Sequence, residues 1–459
     1  MNDSPRALVA AQALLPGGWA RDVLLAWDPS GTLSGVTPDA AGIAGVRRTE
    51  GAVVPGMPNL HSHAFQRAFA GLSEYRGAAD DSFWSWRDRM YRFAAALTPD
   101  AMEDIATQLY IEMLRAGYTS VCEFHYLHHD RDGSPFADPA EMAMRLVSAA
   151  SRAGIGLTLL PVLYQASGFG GQPPLPGQRR FVNGVDALLR IVERVRAQGT
   201  RCGLAPHSLR AVPPEALRDA LQGLQAIDPG APVHIHVAEQ QREVDDCLAW
   251  SGRRPVQWLL EHAEIDARWC LVHATHVDPA ERRAVAASGA VAGLCPSTEA
   301  NLGDGVFPAA DYFAADGAWG IGSDSHATVD AAEELRLLEY TQRLALQRRN
   351  VLADDRHPDV AERLWSGAVA GGARASGRSV AGLAPGQRAD FIVLATDGVM
   401  DGLGAPQVLA SHMFARQPEP LLQEVWVGGS CRVDQGRHAE QGSARAAFVA
   451  ARKRLLDEA

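Results

Sequence analysis

Eight short apolar runs set the strongest limit on what this chain can fold into. They are GAVVPGMPNLH, TSVCEFHY, GLTLLPVLY, RCGLAPHS, PVHIHVAE, WCLVHATH, AVAGLCPST and WGIGSDSHA, and they lie between residues 51 and 327. Each is rich in Val, Leu, Ile and Cys without a strict polar alternation. Between them lie amphipathic patterns such as AMEDIATQLYIEMLRAG and PEALRDALQGLQAI, and AAEELRLLEYTQRLALQRR follows the last. Strands that are apolar on both faces and alternate with helices belong to a parallel sheet covered on both sides. Eight such units predict an α/β fold with a (β/α)8 TIM barrel, a design that ordinarily takes roughly 250 residues or more. The Gly/Pro-rich stretch 168–180 reads as a loop after the third strand.

The two ends have a different rhythm. DVLLAWD, GTLSGVTP and GAVVPGMP open the chain, and ADFIVLAT and EVWVGGSCRVD close it, with turn residues between. These read as short antiparallel strands. The expectation is a small β-sandwich-like domain assembled from residues 1–55 and 380–459, with SARAAFVAARKRLLDE as a final helix, around a barrel of residues 56–379.

A chain of 459 residues with 47% hydrophobic content can bury such a core. Its net charge of -11 gives no electrostatic case for nucleic acid or an anionic membrane. No run reaches the roughly 18 apolar residues of a membrane span. The opening MNDSPRALVAAQALLPGGWA lacks a basic start and a continuous apolar stretch, so no signal peptide is predicted. Cysteines at 122, 202, 247, 270, 295 and 431 form no CxxC pair and read as free thiols in a reducing compartment. A cytoplasmic location is the expectation.

The chemistry lies at the strand ends. His61 and His63 follow the first strand, His125 ends the second, His207 the fourth and His236 the fifth. His273 and His276 end the sixth, and Asp324 and His326 the eighth. In a barrel these ends converge on one mouth. A single histidine there is more often a satisfied structural group, and Asp324 alone reads equally well as a helix N-cap. The joint pattern is harder to dismiss, because residues i and i+2 of an extended segment point the same way. His61, His63 and His236 with Asp324 make a set of three imidazoles and one carboxylate. That set suits one divalent ion, Zn²⁺ or a similar borderline metal, with a position left for water. Gln66, Tyr126, His207 and Arg210 fall near the same mouth, as does Arg87 in the loop DSFWSWRDRMYRFA. Two guanidinium groups would suit an anionic substrate through paired hydrogen bonds to carboxylate. Ordinary surface ion pairs are the alternative reading of both arginines.

The HxH after strand one, the histidines after strands five and six, the aspartate after strand eight and GLAPGQRADFIVL (382–394) together resemble the amidohydrolase superfamily over essentially the whole chain. HIHVAEQ (234–240) resembles its mononuclear deaminases, which implies that Glu239 moves protons. By the same likeness His273 would hydrogen-bond the nucleophile or polarise the substrate, and Asp324 would take a proton while ligating. Many relatives bridge two ions with a carboxylated lysine. The only lysine here is Lys453, outside the barrel, so that bridge is excluded and one ion is expected. GGWARDVLL, NLHSHAFQRAFAG, FWSWRDRMYRFA, EFHYLHH, HSLRAV and VHATH resemble the formimidoylglutamate deiminases of bacterial histidine degradation. That likeness implies a dicarboxylate substrate with a formimino group. Gln66 would contact the formimino group, and Arg87, Tyr126, His207 and Arg210 would hold the carboxylates. It also implies a homodimer. His128, His129, His234 and His326 are expected to be structural or to support the ligands, and His276 carries no assigned role. The rivals are a guanine, cytosine or triazine deaminase, imidazolonepropionase, and a catalytically silent scaffold on the same fold.

Overall fold

The structure, a computed structural model, describes residues 6–74, 83–415 and 421–458. Four strands open the chain: β1 (Ala7–Leu15), β2 (Gly18–Trp27), β3 (Leu33–Thr37) and β4 (Arg47–Pro55). The parallel strands follow. They are β5 (Met57–Ser62), β6 (Tyr118–His125), β7 (Gly156–Leu163), the two short pieces β8 (Arg201–Cys202) and β9 (Ala205–Pro206), β10 (Val233–Val237), β11 (Trp269–His273), β12 (Val291–Leu294) and β13 (Ala318–Ile321). The last strands are β14 (Phe391–Leu394), β15 (Leu422–Val427), β16 (Ser430–Asp434) and β17 (Arg437–His438).

The eight apolar runs become the parallel strands, and helices lie between successive ones. Two parallel sheets result, one running β5-β6-β7-β8 with β9 also on β7, the other β10-β11-β12-β13. Isolated parallel bridges, Leu204 to Val233 and Ser62 to Asp324, link the two sheets. Every residue of β6 and β7 is buried, as expected for strands covered on both faces. The fourth strand is split at Gly203, where an added Cβ would stand 2.2 Å from the Pro232 carbonyl oxygen. Only glycine lets the neighbouring chain pass so closely.

Strands from both chain ends share one sheet, in the order β17-β16-β15-β14-β4-β1-β2-β3. Two features differ from the sequence reading. The N-terminal apolar run is itself a strand, β1, which lies between β2 and β4. The sheet is also mixed, since β1 pairs with β4 in parallel. The run GAVVPGMPNLH, one segment in sequence, divides at Gly56: β4 joins the mixed sheet and β5 the parallel one. Trp365 fixes this junction by donating from Nε1 to the Pro55 carbonyl at 2.9 Å. The helix that carries Trp365, Val360–Ser376, can lie on β13 because residue 371 is glycine; a Cβ there would be 1.7 Å from the Trp319 carbonyl oxygen.

The C-terminal helix, Gln441–Glu458, packs on the helix Pro99–Arg115. It buries Ala444, Phe448, Ala451 and Leu455, the one-faced spacing of an amphipathic helix. No helix among the described residues is long and apolar enough to cross a membrane. All six cysteines are free thiols, and Cys431 alone is exposed.

Candidate metal centre and active site

The C-terminal ends of the parallel strands turn abruptly. Ala238, His273, Ala274, Asp324 and His326 all have positive φ, between 45° and 67°. Non-glycine residues rarely adopt this region, and such strain collects at functional sites. Here it breaks the strand pleat where side chains must point into the mouth.

His61 on β5, His63 just beyond it, His236 on β10 and Asp324 beyond β13 place one donor atom each within 4.8 Å of one another, all buried. His61 Nε2 lies 3.2 Å from His63 Nε2 and 2.9 Å from His236 Nε2. Asp324 Oδ1 is 3.5 Å from His61 Nε2 and 3.3 Å from His63 Nε2. His61 Nδ1 is buried without a hydrogen-bond partner, while His63 Nδ1 donates to the Phe124 carbonyl at 2.9 Å and His236 Nδ1 to that of His207 at 3.2 Å. Their Nε2 lone pairs therefore face one another. Burial, then the neighbouring imidazoles, hold His61 and His236 well below the usual histidine range; burial first pushes His63 down to about 3. Neutral imidazoles with converging lone pairs and a carboxylate beside them repel one another unless a cation lies between. These residues fit a divalent ion.

Glu239 stands two residues past β10 and is buried. Its Oε1 is 3.7 Å from His273 Nε2. Burial pushes its carboxyl up to about 7, against the pull of His273 and Arg210. His273, the last residue of β11, also faces Asp324 Oδ2 at 3.6 Å and Glu299 Oε1, from Nδ1, at 3.3 Å. Burial opposes its protonation, but Glu239, Glu299 and Asp324 outweigh it and push its pKa up to about 10.

Gln66, Arg87, Tyr126, His207 and Arg210 line one cavity together with His63, His236, Glu239, His273 and Asp324. Gln66 donates from Nε2 to the Tyr126 hydroxyl at 2.8 Å, while its buried Oε1 has no hydrogen-bond partner. Two residues sit otherwise than expected. Arg87 is on the helix Phe83–Ala96, not in a loop, with its guanidinium 5.5 Å over the Tyr91 ring. Arg210 is not a surface pair: its Nη2 lies 3.8 Å from both Glu239 Oε2 and Glu243 Oε2.

The remaining histidines contact backbone or hydroxyls. His128 bonds the Val162 carbonyl, His129 that of Val182, His234 that of Ala375 and His276 that of Asp304. His326 lies 3.0 Å from Ser323 Oγ. His125 turns toward His128, and its neighbour Phe124 takes the face toward His61 and His236. Besides Glu299, three contributors went unread in the sequence. Tyr91 and Tyr164 line the cavity, and Glu123 grips the HxH segment. Glu123 accepts from Ser62 Oγ and from the Ala64 amide, each at 2.6 Å. Only its alternation with Phe124 along β6 could have pointed to it.

Comparison with known proteins adds independent findings. A family model described as Amidohydrolase family matches residues 52–431. A curated formimidoylglutamate deiminase of Pseudomonas aeruginosa is 54% identical over 456 residues, which cover 98% of this chain and 100% of that one. An 8-oxoguanine deaminase of the same organism is 31% identical, covering 87% and 85%. A crystal structure of an amidohydrolase from Brucella melitensis superposes with a TM-score of 0.92 at 47% identity, covering 98% of this chain and all of that one. An adenosine deaminase from Xanthomonas campestris with bound zinc shares the fold, at a TM-score of 0.78 and 21% identity over 99% of this chain and 100% of that one.

Proposed function

The chain belongs to the amidohydrolase family, and we propose from that premise and from the site that it hydrolyses N-formimidoyl-L-glutamate to N-formyl-L-glutamate and ammonia. The observation that carries the substrate is the pair of guanidiniums, Arg87 and Arg210, in the cavity that also holds the histidine-aspartate donors and Glu239. A flat neutral purine or triazine would offer neither half-buried guanidinium a carboxylate. The overall likeness to a formimidoylglutamate deiminase supports the same reading.

His61, His63, His236 and Asp324 would hold the ion, for which we infer Zn²⁺. Bound there, it supplies a Lewis acid that lowers the pKa of water. The chain's own groups do the rest. Glu239, with its carboxyl near 7, carries a proton at neutral pH and returns it to the departing nitrogen, as a general acid should. His273 presents Nε2 to the reacting carbon's substituents while Glu299 holds its Nδ1. The buried, unpartnered Oε1 of Gln66 accepts an N–H of the formimino group. Tyr126, His207 and the two arginines take the glutamyl carboxylates.

The same reading joins the two parallel sheets and their bridges into one (β/α)8 barrel of residues 56–379. It makes 1–55 with 380–459 a small composite domain, and it includes a cytoplasmic homodimer. The deciding experiment is ammonia release from formimidoylglutamate, 8-oxoguanine and cytosine by protein containing zinc, with the ring opening of imidazolonepropionate, which frees no ammonia, followed by its ultraviolet absorbance. Turnover of formimidoylglutamate at least a hundredfold above the others is expected. Equal or better turnover of any of the others refutes the substrate.

A further inference from the structure

The two oxygens of Asp324 look at different partners. Oδ1 faces His61 and His63 at 3.5 and 3.3 Å, whereas Oδ2 faces His273 Nε2 at 3.6 Å. On that second side, His273, Asp324 and the thiol of Cys295 place one donor atom each within 4.8 Å of one another, all buried. We propose that this trio is a second cation position, for a soft divalent ion such as Zn²⁺ or Cd²⁺, and that filling it inhibits the enzyme.

The site is pre-built. Donors around a tetrahedral ion, at bond lengths of 2.0 to 2.3 Å, stand roughly 3.3 to 3.8 Å apart, and the His273–Asp324 separation of 3.6 Å falls in that span. Glu299 fixes two of its members at once. Its Oε1 takes His273 Nδ1 at 3.3 Å and accepts the Cys295 amide at 2.9 Å. The ring is thereby turned so that Nε2 faces the gap. Glu239 Oε1, 3.7 Å from the same nitrogen, offers a fourth donor. A thiolate in the set selects zinc and cadmium over harder ions.

The second position is the weaker of the two. An ion there shares Asp324 with the resident ion and feels its repulsion. The Cys295 thiol and His273 Nε2 must also release their protons to solvent as the metal–sulfur and metal–nitrogen bonds form. Occupation therefore needs excess metal. It ties up Glu239, assigned to proton transfer, and His273, assigned to the reacting carbon's substituents, so the reaction stops. The inhibitory half rests on that assignment, while the site itself does not.

The test adds Co²⁺ to protein carrying one equivalent of zinc. A thiolate–cobalt charge-transfer band in the near ultraviolet should grow and saturate at about one added equivalent. It should be absent in Cys295→Ser and in Cys295→Ala, and kept in Cys431→Ser. Cobalt exchanging into the His61 site would give no such band, because that site has no sulfur. Excess Zn²⁺ should suppress ammonia release by the wild type. The Cys295 variants should keep the basal rate and need at least tenfold more zinc for the same loss. No band, or a band that survives loss of Cys295, overturns the site. A Cys295-dependent band with equal zinc sensitivity overturns the inhibition. If no protein releases ammonia from formimidoylglutamate, the substrate reading fails, and the band still decides the site.

Discussion

Replacing Glu239 by glutamine should separate proton chemistry from packing. Glutamine has the shape of glutamate, and the backbone N–H of residue 239 still reaches Glu243 Oε2, at 3.2 Å. What disappears is the proton. General acid–base groups contribute about 10² to 10⁴ in rate, so kcat for ammonia release should fall by about a thousandfold, or about 4 kcal/mol of barrier. KM should stay within about threefold, a small binding change on the same scale. Stability should move the other way. Burial raises the Glu239 carboxyl from 4.5 to about 7 in the fold. A raised acid costs the folded state nothing below its unfolded pKa and progressively more as pH climbs through the folded one. That difference is worth on the order of 3 kcal/mol at most. Metal-stripped Glu239→Gln should therefore match the wild type in Tm near pH 4.5 and exceed it by a few degrees at pH 8.5. Stopped-time ammonia assays and calorimetry at the two pH values read both effects. A kcat within tenfold of wild type refutes the proton role, and parallel Tm–pH curves refute the raised carboxyl.

Three further outcomes follow from the same geometry. Arg87→Ala should raise KM for formimidoylglutamate at least tenfold with little change in Tm, while Arg210→Ala should do the same and also lower Tm, because Glu239 and Glu243 lose their shared cation; steady-state kinetics with calorimetry checks the pair. Gly322→Ala should weaken metal binding by about 10- to 100-fold, the range seen when a ligand's support is disturbed, since its Cβ would press on His61 Cβ and backbone at 2.8 Å; competition with a chelator measures it. Glu299→Gln should lower kcat about tenfold or more at unchanged KM and metal content, because His273 loses the charged acceptor that sets its ring, and metal analysis alongside kinetics would expose a purely structural effect.

The parallel strands were legible because strands buried on both faces leave a plain record of continuous Val, Leu, Ile and Cys. The convergence of the candidate metal donors was legible for a related reason: they cap those runs, so locating the runs located His61, His236 and Asp324. β1 was harder to read, since ALVAAQALL is mostly alanine and leucine, which helices and strands share. Arg87 was placed in a loop after the first parallel strand because DSFWSWRDRMYRFA shows no clean polar face. Side-chain direction was least visible. Nothing in HSLRAV says that Arg210 turns back between two acids, and nothing in CPSTE says that Glu299 reaches His273. Those contacts join segments that sequence spacing keeps apart.

The link between β5 and the last parallel strand has a consequence for how the molecule assembles. Asp324 donates its amide to the His61 carbonyl at 3.0 Å and accepts from the His63 amide at 3.1 Å. Asn59 ties the same seam to Ser323, 264 positions away in sequence. The residues that stitch the first parallel strand to the last are thus the candidate metal donors themselves or their neighbours. Contacts of such separation carry the largest loop-closure cost and form late. An ion held there would clasp a join of long sequence separation: refolding with metal should trap the closed seam, and chelation should loosen amide protection at residues 59–63 and 323–324 before the rest of the sheets.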